Sequence, residues 1–377
     1  MKTSLSLVLG ALALTWVNAA SAETLRASTW LPSNDVHTIH AFNEWSAAVA
    51  EKTGDELAFE VLPGAALMPA KSHLQGVGDG LAHVGFHYSG YTPADLPIAN
   101  SLSGMGFMRP DPLVLAYAFA DFVMNDPAAR AEFERYGVLP VGGFSTPLPH
   151  LLCKGVRIST PDDLRGKRIR FPGGPAANLA SSLGVTTVNI TGPEIYQAFS
   201  QNQLDCAAID ATYLTGSQNL VEVTDSVTLV DFTPGFISPL HVYNTATWQG
   251  FSEDQRRTLL DATAEAMAAL QIAFEADANA ALEDARAAGH EIVEPDASLT
   301  DAIQAWVDAG VGDMAGQART TYGIEDPEAL FATFQTYIDK WSALVEALPD
   351  RNDAAALVAL GKDNLFDSVD VATYGME

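Results

Sequence analysis

Arg165, Arg168 and Arg170 crowd one short segment of a chain that holds only 20 Lys and Arg against 47 Asp and Glu. A guanidinium presents a planar fork of N–H donors that matches a carboxylate or sulfonate with two parallel hydrogen bonds. In so acidic a chain the ordinary fate of an arginine is a surface ion pair, which is worth little. Arg170 differs by its address. In an alternating strand it shares a face with Arg168 and lies nearer the carboxyl end, where open α/β sheets collect their ligands. The same strand-end rule picks Trp30 and His37, with Ser33 and Asn34, after one predicted strand, and His87 and Tyr88 after another. It also picks Phe171 beside Arg170, Asn189 after the next strand, and Asp210 and Tyr213 after the last. The candidate ligand-binding set is Arg170, Trp30, His37, Tyr88, Phe171, Asn189, Asp210 and Tyr213. It combines a cation for an acid group, aromatic walls, and polar groups to orient the remainder of a ligand. Taken singly, Trp30, Tyr88 and Tyr213 read equally well as core; their common address distinguishes them.

Other chemistries lack their residues. His37 and His40 are three apart, and His83 and His87 are four apart on a strand and its exit, but neither pair forms a zinc signature. No Gly-x-Ser-x-Gly elbow, phosphate-cradling loop or dinucleotide fingerprint stands out. No catalytic residue, metal or cofactor is assigned, and the expectation is a protein that is not an enzyme.

The elements that must position the set form a repeated pattern. Thr24 to Trp30 reads as a strand, and Pro32-Ser33-Asn34-Asp35 breaks it and caps a helix with Ile39, Phe42, Trp45 and Val49 on one face. A strand over Leu57–Leu62, a short helix near Ala70–Gly76 and a strand over Ala82–Phe86 complete a β-α-β-α-β unit. The pattern returns with strands at Lys167–Phe171, Val185–Ile190 and Leu204–Ile209 and helices between them. Two copies predict two lobes with a cleft between, joined by segment 87–150, whose Pro147-Leu148-Pro149 reads as a hinge passage. Another short strand falls at Leu240–Tyr243. Residues 252–288 read as one helix, with Ser252 and Gln255 at capping-box spacing, Gly289 at its end, and a length of about 50 Å that reaches across both lobes. Further helices are expected at 299–318, 327–347 and 353–360.

The fold class is therefore α/β: a two-lobed clamp, each lobe a mainly parallel sheet flanked by helices, with a long helix spanning both. The expected boundaries are 23–145 plus 236–262 for lobe I and 146–235 plus 263–300 for lobe II and the spanning helix. Residues 301–377 are expected to form a C-terminal helical extension that braces a lobe or makes a dimer.

The formal net charge of -27 repels phosphate backbones and anionic headgroups, which excludes nucleic acid as a partner. Residues 1–22 read as a cleaved signal peptide: Lys2, an apolar run from Leu5 to Val17, and Ala20-Ser21-Ala22. The run is short for a bilayer span and no later stretch is a candidate, so a periplasmic protein that is not itself membrane-embedded is expected. Cys153 and Cys206 read first as two small buried apolar residues, although an exported chain also permits a disulfide between them.

The segment Thr160-Pro161-Asp162-Asp163-Leu164-Arg165-Gly166-Lys167-Arg168-Ile169-Arg170-Phe171-Pro172-Gly173 resembles the solute-binding subunits of TRAP (tripartite ATP-independent periplasmic) transporters, the dicarboxylate-receptor-like family. So do Leu183-Gly184, Glu194-Ile195-Tyr196-Gln197-Ala198-Phe199, Gln203-Leu204-Asp205 and the start through Leu31-Pro32, Glu51-Lys52-Thr53-Gly54 and Pro63-Gly64. The resemblance implies a periplasmic clamp whose Arg170 pairs with the carboxylate of an organic acid and which hands that solute to TRAP membrane permease subunits. The family's frequent second arginine has no counterpart near Pro149-His150. Cys206-Ala207-Ala208-Ile209-Asp210 stands where many members carry Gly-Gln-Glu-Asn. These departures suit a monoacid with hydroxyl, amino or other donor groups on its far end better than a four-carbon dicarboxylate. An ABC-type receptor for a sugar or amino acid is the alternative reading, followed by a secreted hydrolase or a metal receptor.

Overall fold

The computed structural model describes residues 24–107, 111–171, 174–230, 235–310 and 314–377; the expected signal peptide, 1–22, lies outside them. The strands are β1 (Leu25–Ser28), β2 (Phe59–Leu62), β3 (Val84–Gly85), β4 (Val138–Val141), β5 (Phe144–Ser145), β6 (His150–Cys153) and β7 (Arg168–Arg170). They continue with β8 (Thr186–Val188), β9 (Cys206–Ile209), β10 (Ser226–Thr228), β11 (Ile237–Ser238), β12 (His241–Asn244) and β13 (Glu291–Val293). They assemble into a sheet of order β2-β1-β3-β12-β4 and another of order β13-β10-β6-β9-β7-β8.

Each sheet keeps the parallel β-α-β core that the sequence pattern predicts: β2-β1-β3 in the first, β9-β7-β8 in the second. Each also takes in one strand running the other way, β12 and β6. Both arrive directly from the segments that cross between the sheets. A parallel neighbour would have needed a helical crossover, for which those segments have no room. The two crossing segments pair with each other as the ribbon β5–β11, and Pro147-Leu148-Pro149 lies just beyond β5.

The third crossing is the helix Glu253–Ala287, with Ser252 capping it and Gln255 closing the box. Its first half, including Leu260, Met267 and Phe274, joins the core of the first lobe. Its second half, through Ala278, Ala281 and Ala285, packs on the second. Side-chain alternation splits the second lobe into two apolar layers: Leu151, Ile169 and Phe171 on one face, and Leu152, Ala207 and Ile209 on the other. This alternation turns Arg168 and Arg170 away from Phe171.

Two results differ from expectation. Cys153 and Cys206 are both fully buried, but they are joined as a disulfide. They sit directly opposite each other on antiparallel β6 and β9, a register that spacing along the chain does not reveal. The segment 87–150, expected as a connection, carries helices at Pro97–Leu102, Pro112–Asn125 and Pro127–Glu134. The second of these is buried almost all round, so it shows no polar face to read.

The C-terminal helices are built into the lobes. Ala297–Gly310 packs on the second lobe through Leu299 and Ile303. Pro327–Glu346 lies along Pro112–Asn125, with Trp341 stacked 4.8 Å from Tyr117 and its indole N–H donating to Asp121 at 2.8 Å. Ala354–Asn364 adds Leu357 to the same core. Among the described residues no helix is long and apolar enough to cross a membrane.

Candidate ligand-binding cleft

Arg170 ends β7 with its side chain on the cleft side, 1% exposed. Its Nε donates to the Ile190 carbonyl at 3.1 Å and its Nη1 to the Ala208 carbonyl at 3.2 Å, and its charge acts on the Tyr91 hydroxyl of the other lobe. The neighbouring arginines took surface partners. Arg168 grips Asp205 at 2.7 Å, and Arg165 reaches Asp162 at 2.9 Å. Among the described residues no carboxylate comes within ion-pair distance of Arg170. Carbonyl contacts fix the guanidinium in place without neutralising it.

The facing wall is aromatic. Trp30 lies 5.4 Å from Phe86 and 5.3 Å from Tyr91, and Tyr88 meets Tyr91 edge-on at 5.0 Å. His37 stands at the entry to the helix of wide, π-type turns Thr38–Glu44, a geometry frequent at functional sites. Its ring lies 4.1 Å from Phe86 and is 1% exposed. Burial, helped by His241 and His40, holds its pKa well below the usual histidine range, so the ring is neutral. Neither of its nitrogens has a hydrogen-bond partner, nor does the indole nitrogen of Trp30. A neutral imidazole carries one N–H and one lone pair, so this wall holds two orphan donors and an orphan acceptor.

Two buried carboxyls complete the site, one from each lobe. Asp35 accepts from the His37 amide at 3.0 Å and, across the cleft, from the Ser217 hydroxyl at 2.7 Å. Asp210 caps the turn after β9, accepting from the Thr212 amide at 3.2 Å and from the Thr212 hydroxyl. Burial raises both to about 6, and the charge of Asp35 adds to the rise at Asp210. Burial likewise raises Tyr88, Tyr91 and Tyr213, keeping all three neutral. The lobes are closed on one another: the Gly192 amide donates to the Tyr91 hydroxyl at 2.9 Å, and the Asn34 amide donates to the Gly216 carbonyl at 3.1 Å. The cavity left inside is about 50 Å³.

Arg170, Trp30, His37, Tyr88, Asp210 and Tyr213 all line that one cavity. Phe171 does not. It points to the opposite face of the sheet and is packed in the second-lobe core. Asn189 is exposed beyond the edge strand β8, outside the lining. The cavity is also lined by Asp35, which in the sequence reads as a turn and cap residue, and by Tyr91, three residues beyond Tyr88. Phe144, Phe236 and Phe274 join them from the crossing strands and the spanning helix, outside the reach of the strand-end rule.

Residues 27–316 match the model of the DctP family, described as bacterial extracellular solute-binding protein, family 7. The chain belongs to this family. Its members are solute receptors, and the likeness of the Arg170 segment to TRAP receptors is borne out. Solved structures share the fold at low identity. A marine metagenome TRAP solute-binding protein from an unidentified microbe, specific for aromatic acids and bound to metahydroxyphenylacetate, is 20% identical. The match covers 84% of this chain and 99% of that one, with a TM-score of 0.74. A TRAP periplasmic solute-binding protein of Bordetella bronchiseptica, with (R)- and (S)-mandelate, is 21% identical over 84% of this chain and 99% of that one, TM-score 0.72. One from Chromohalobacter salexigens, with d-glucuronate, is 18% identical over 83% and 100%, TM-score 0.69. This family 7 receptor shares their two-lobed architecture.

Proposed function

We propose that this protein is an extracytoplasmic receptor that binds a small organic acid, a carboxylate or sulfonate, in the interlobe cleft and delivers it to a TRAP-type secondary permease. The observation that carries this reading is Arg170, a buried guanidinium with no ion-pair partner among the described residues, lining the cavity between the lobes. A buried cation held only by carbonyls lacks the ion pair that would offset its desolvation, and an acid group from solution supplies that pair when it docks. The acids bound by the metagenome, Bordetella and Chromohalobacter proteins support the same class. Residues 1–22 supply the export signal. The moving bodies are 23–145 with 236–262 and 146–235 with 263–300, pivoting on the β5–β11 ribbon and on the spanning helix. Affinity is then set by how far the ligand shifts the population toward the closed clamp.

A thermal-shift screen against carboxylates, sulfonates, amino acids, sugars and polyols tests this. Bound ligand raises the melting temperature by linkage. The hits are expected to carry an acid group. Shifts from uncharged sugars with none from any acid would overturn the reading in favour of another receptor class.

A further inference from the structure

The charges inside the cleft do not balance for a simple anion. Arg170 contributes one positive charge, while Asp35 and Asp210 contribute two carboxyls, all three at most 6% exposed. Among the described residues neither aspartate ion-pairs with a lysine or arginine; their hydrogen bonds come from Ser217, Thr212 and backbone amides. The other titratable groups facing them do not help. Tyr91 and Tyr213 are held neutral, His37 is neutral, and Asp277 in the adjoining groove adds another acid. Glu194 is bound to Thr191 outside the lining, where it feels Lys71 as well as Arg170. With carboxyls near pKa 6 the two aspartates are mostly ionised at neutral pH. A monoanion on Arg170 would thus close the clamp on a net charge of about -2, which a low-dielectric cavity opposes.

We propose that the acid held by this cleft also carries a cationic nitrogen: its ligand is a zwitterion, with the carboxylate on Arg170 and the nitrogen between Asp35, Asp210 and the aromatic wall. The proposal rests on the receptor reading above and narrows its ligand class. Bound this way, the ligand leaves the cavity at about -1 rather than -2, offsetting one aspartate charge without undoing the arginine pair. Trp30, Phe86 and Tyr91 line the cavity with aromatic rings, the kind of group that attracts cationic nitrogen. The unpartnered groups point to the same ligand. The Trp30 N–H suits a carboxylate oxygen beside Arg170, and the lone pair of neutral His37 suits an ammonium N–H. A zwitterion also enters unopposed by the chain's net charge of -27, which repels an anion at long range.

Calorimetric titration of the purified protein at pH 7.5 with two isosteric pairs tests this: pipecolate against cyclohexanecarboxylate, and glycine betaine against 3,3-dimethylbutanoate. Each pair keeps shape and carboxylate and exchanges a cationic nitrogen for carbon. The expected result is at least one zwitterion bound at least tenfold more tightly than its carbon twin. Asp210→Asn, in which asparagine still caps the turn, should shrink that ratio by at least threefold. Carbon twins bound as tightly as the zwitterions would overturn the zwitterion and leave the acid receptor standing. Failure of all four probes would count against the zwitterion, and the acid panel decides separately whether the receptor reading falls with it.

Discussion

The two lobes close on one cavity with different materials. The first lobe brings rings and neutral histidines: Trp30, Phe86, Tyr88 and Tyr91 around His37, with polar atoms left unpaired. It also buries His73, His87 and His241. The second brings charge, with Arg170 and Asp210 held by backbone groups and a turn on a sheet that carries the Cys153–Cys206 disulfide. Asp35 adds a carboxyl to the first wall and Tyr213 a ring to the second, but the cation and the main aromatic wall come from opposite sides and meet only when the clamp is shut. Neither wall alone offers a ligand both Arg170 and the Trp30–Phe86–Tyr91 rings, which ties recognition to closure.

Acid should separate the lobes most strongly. Burial lowers the pKa of His73 and His241 to about 4 and of His87 to about 3, and lowers His37 well below the usual range. Below about pH 6.5 the unfolded chain protonates these groups and the folded one does not. Their contribution is therefore complete above that pH and lost below it, by up to about 1.4 kcal/mol per histidine per pH unit. Asp35 and Asp210, raised to about 6, and Glu132, raised by burial to about 7, act in the opposite sense, since the folded chain takes their protons first. Four groups outweigh three, and all four histidines lie in the first lobe, where only Asp35 and Glu132 oppose them. Hydrogen exchange at pH 4.5 should show the first lobe losing protection before the second; simultaneous loss would contradict the asymmetry.

Smaller effects probe the walls one group at a time. Trp30→Phe keeps the ring and removes the orphan N–H, so affinity for the best acid found should fall about fivefold, near 1 kcal/mol. An unchanged affinity would show that the indole nitrogen faces nothing. Ser217→Ala removes one interlobe hydrogen bond to Asp35, and titration should show a loss of about threefold through weaker closure. Asn189→Ala, at an exposed position outside the lining, should change affinity by less than about twofold.

What the sequence made legible follows from how local each signal is. The strands that precede Trp30 and Arg170, and the spanning helix with its Ser252–Gln255 box, are marked by alternation and capping within a few residues. The inserted strands β6 and β12, and the register that pairs Cys153 with Cys206, depend on partners far along the chain. The site divides the same way. A strand-end address brought Arg170 and His37 to the cavity, but it cannot say which face of the sheet a residue takes, and Phe171 took the other. Asp35 hid behind its turn because capping and ligand binding call for the same side chain. Phe144, Phe236 and Phe274 come from crossing elements to which the strand-end rule does not apply.

The central claim is that Arg170 is an unpaired buried cation whose partner arrives with the ligand. Denaturant unfolding of wild type and Arg170→Met, each with and without the best acid from the screen, tests it directly. Without ligand the variant should stay within about 1 kcal/mol of wild type, since it removes a buried charge but leaves the Ile190 and Ala208 carbonyls without their donor. With ligand only wild type should gain stability, and titration should show the variant's affinity reduced at least about a hundredfold, near 3 kcal/mol. A variant that loses stability without ligand yet keeps the full ligand-induced gain would contradict the account.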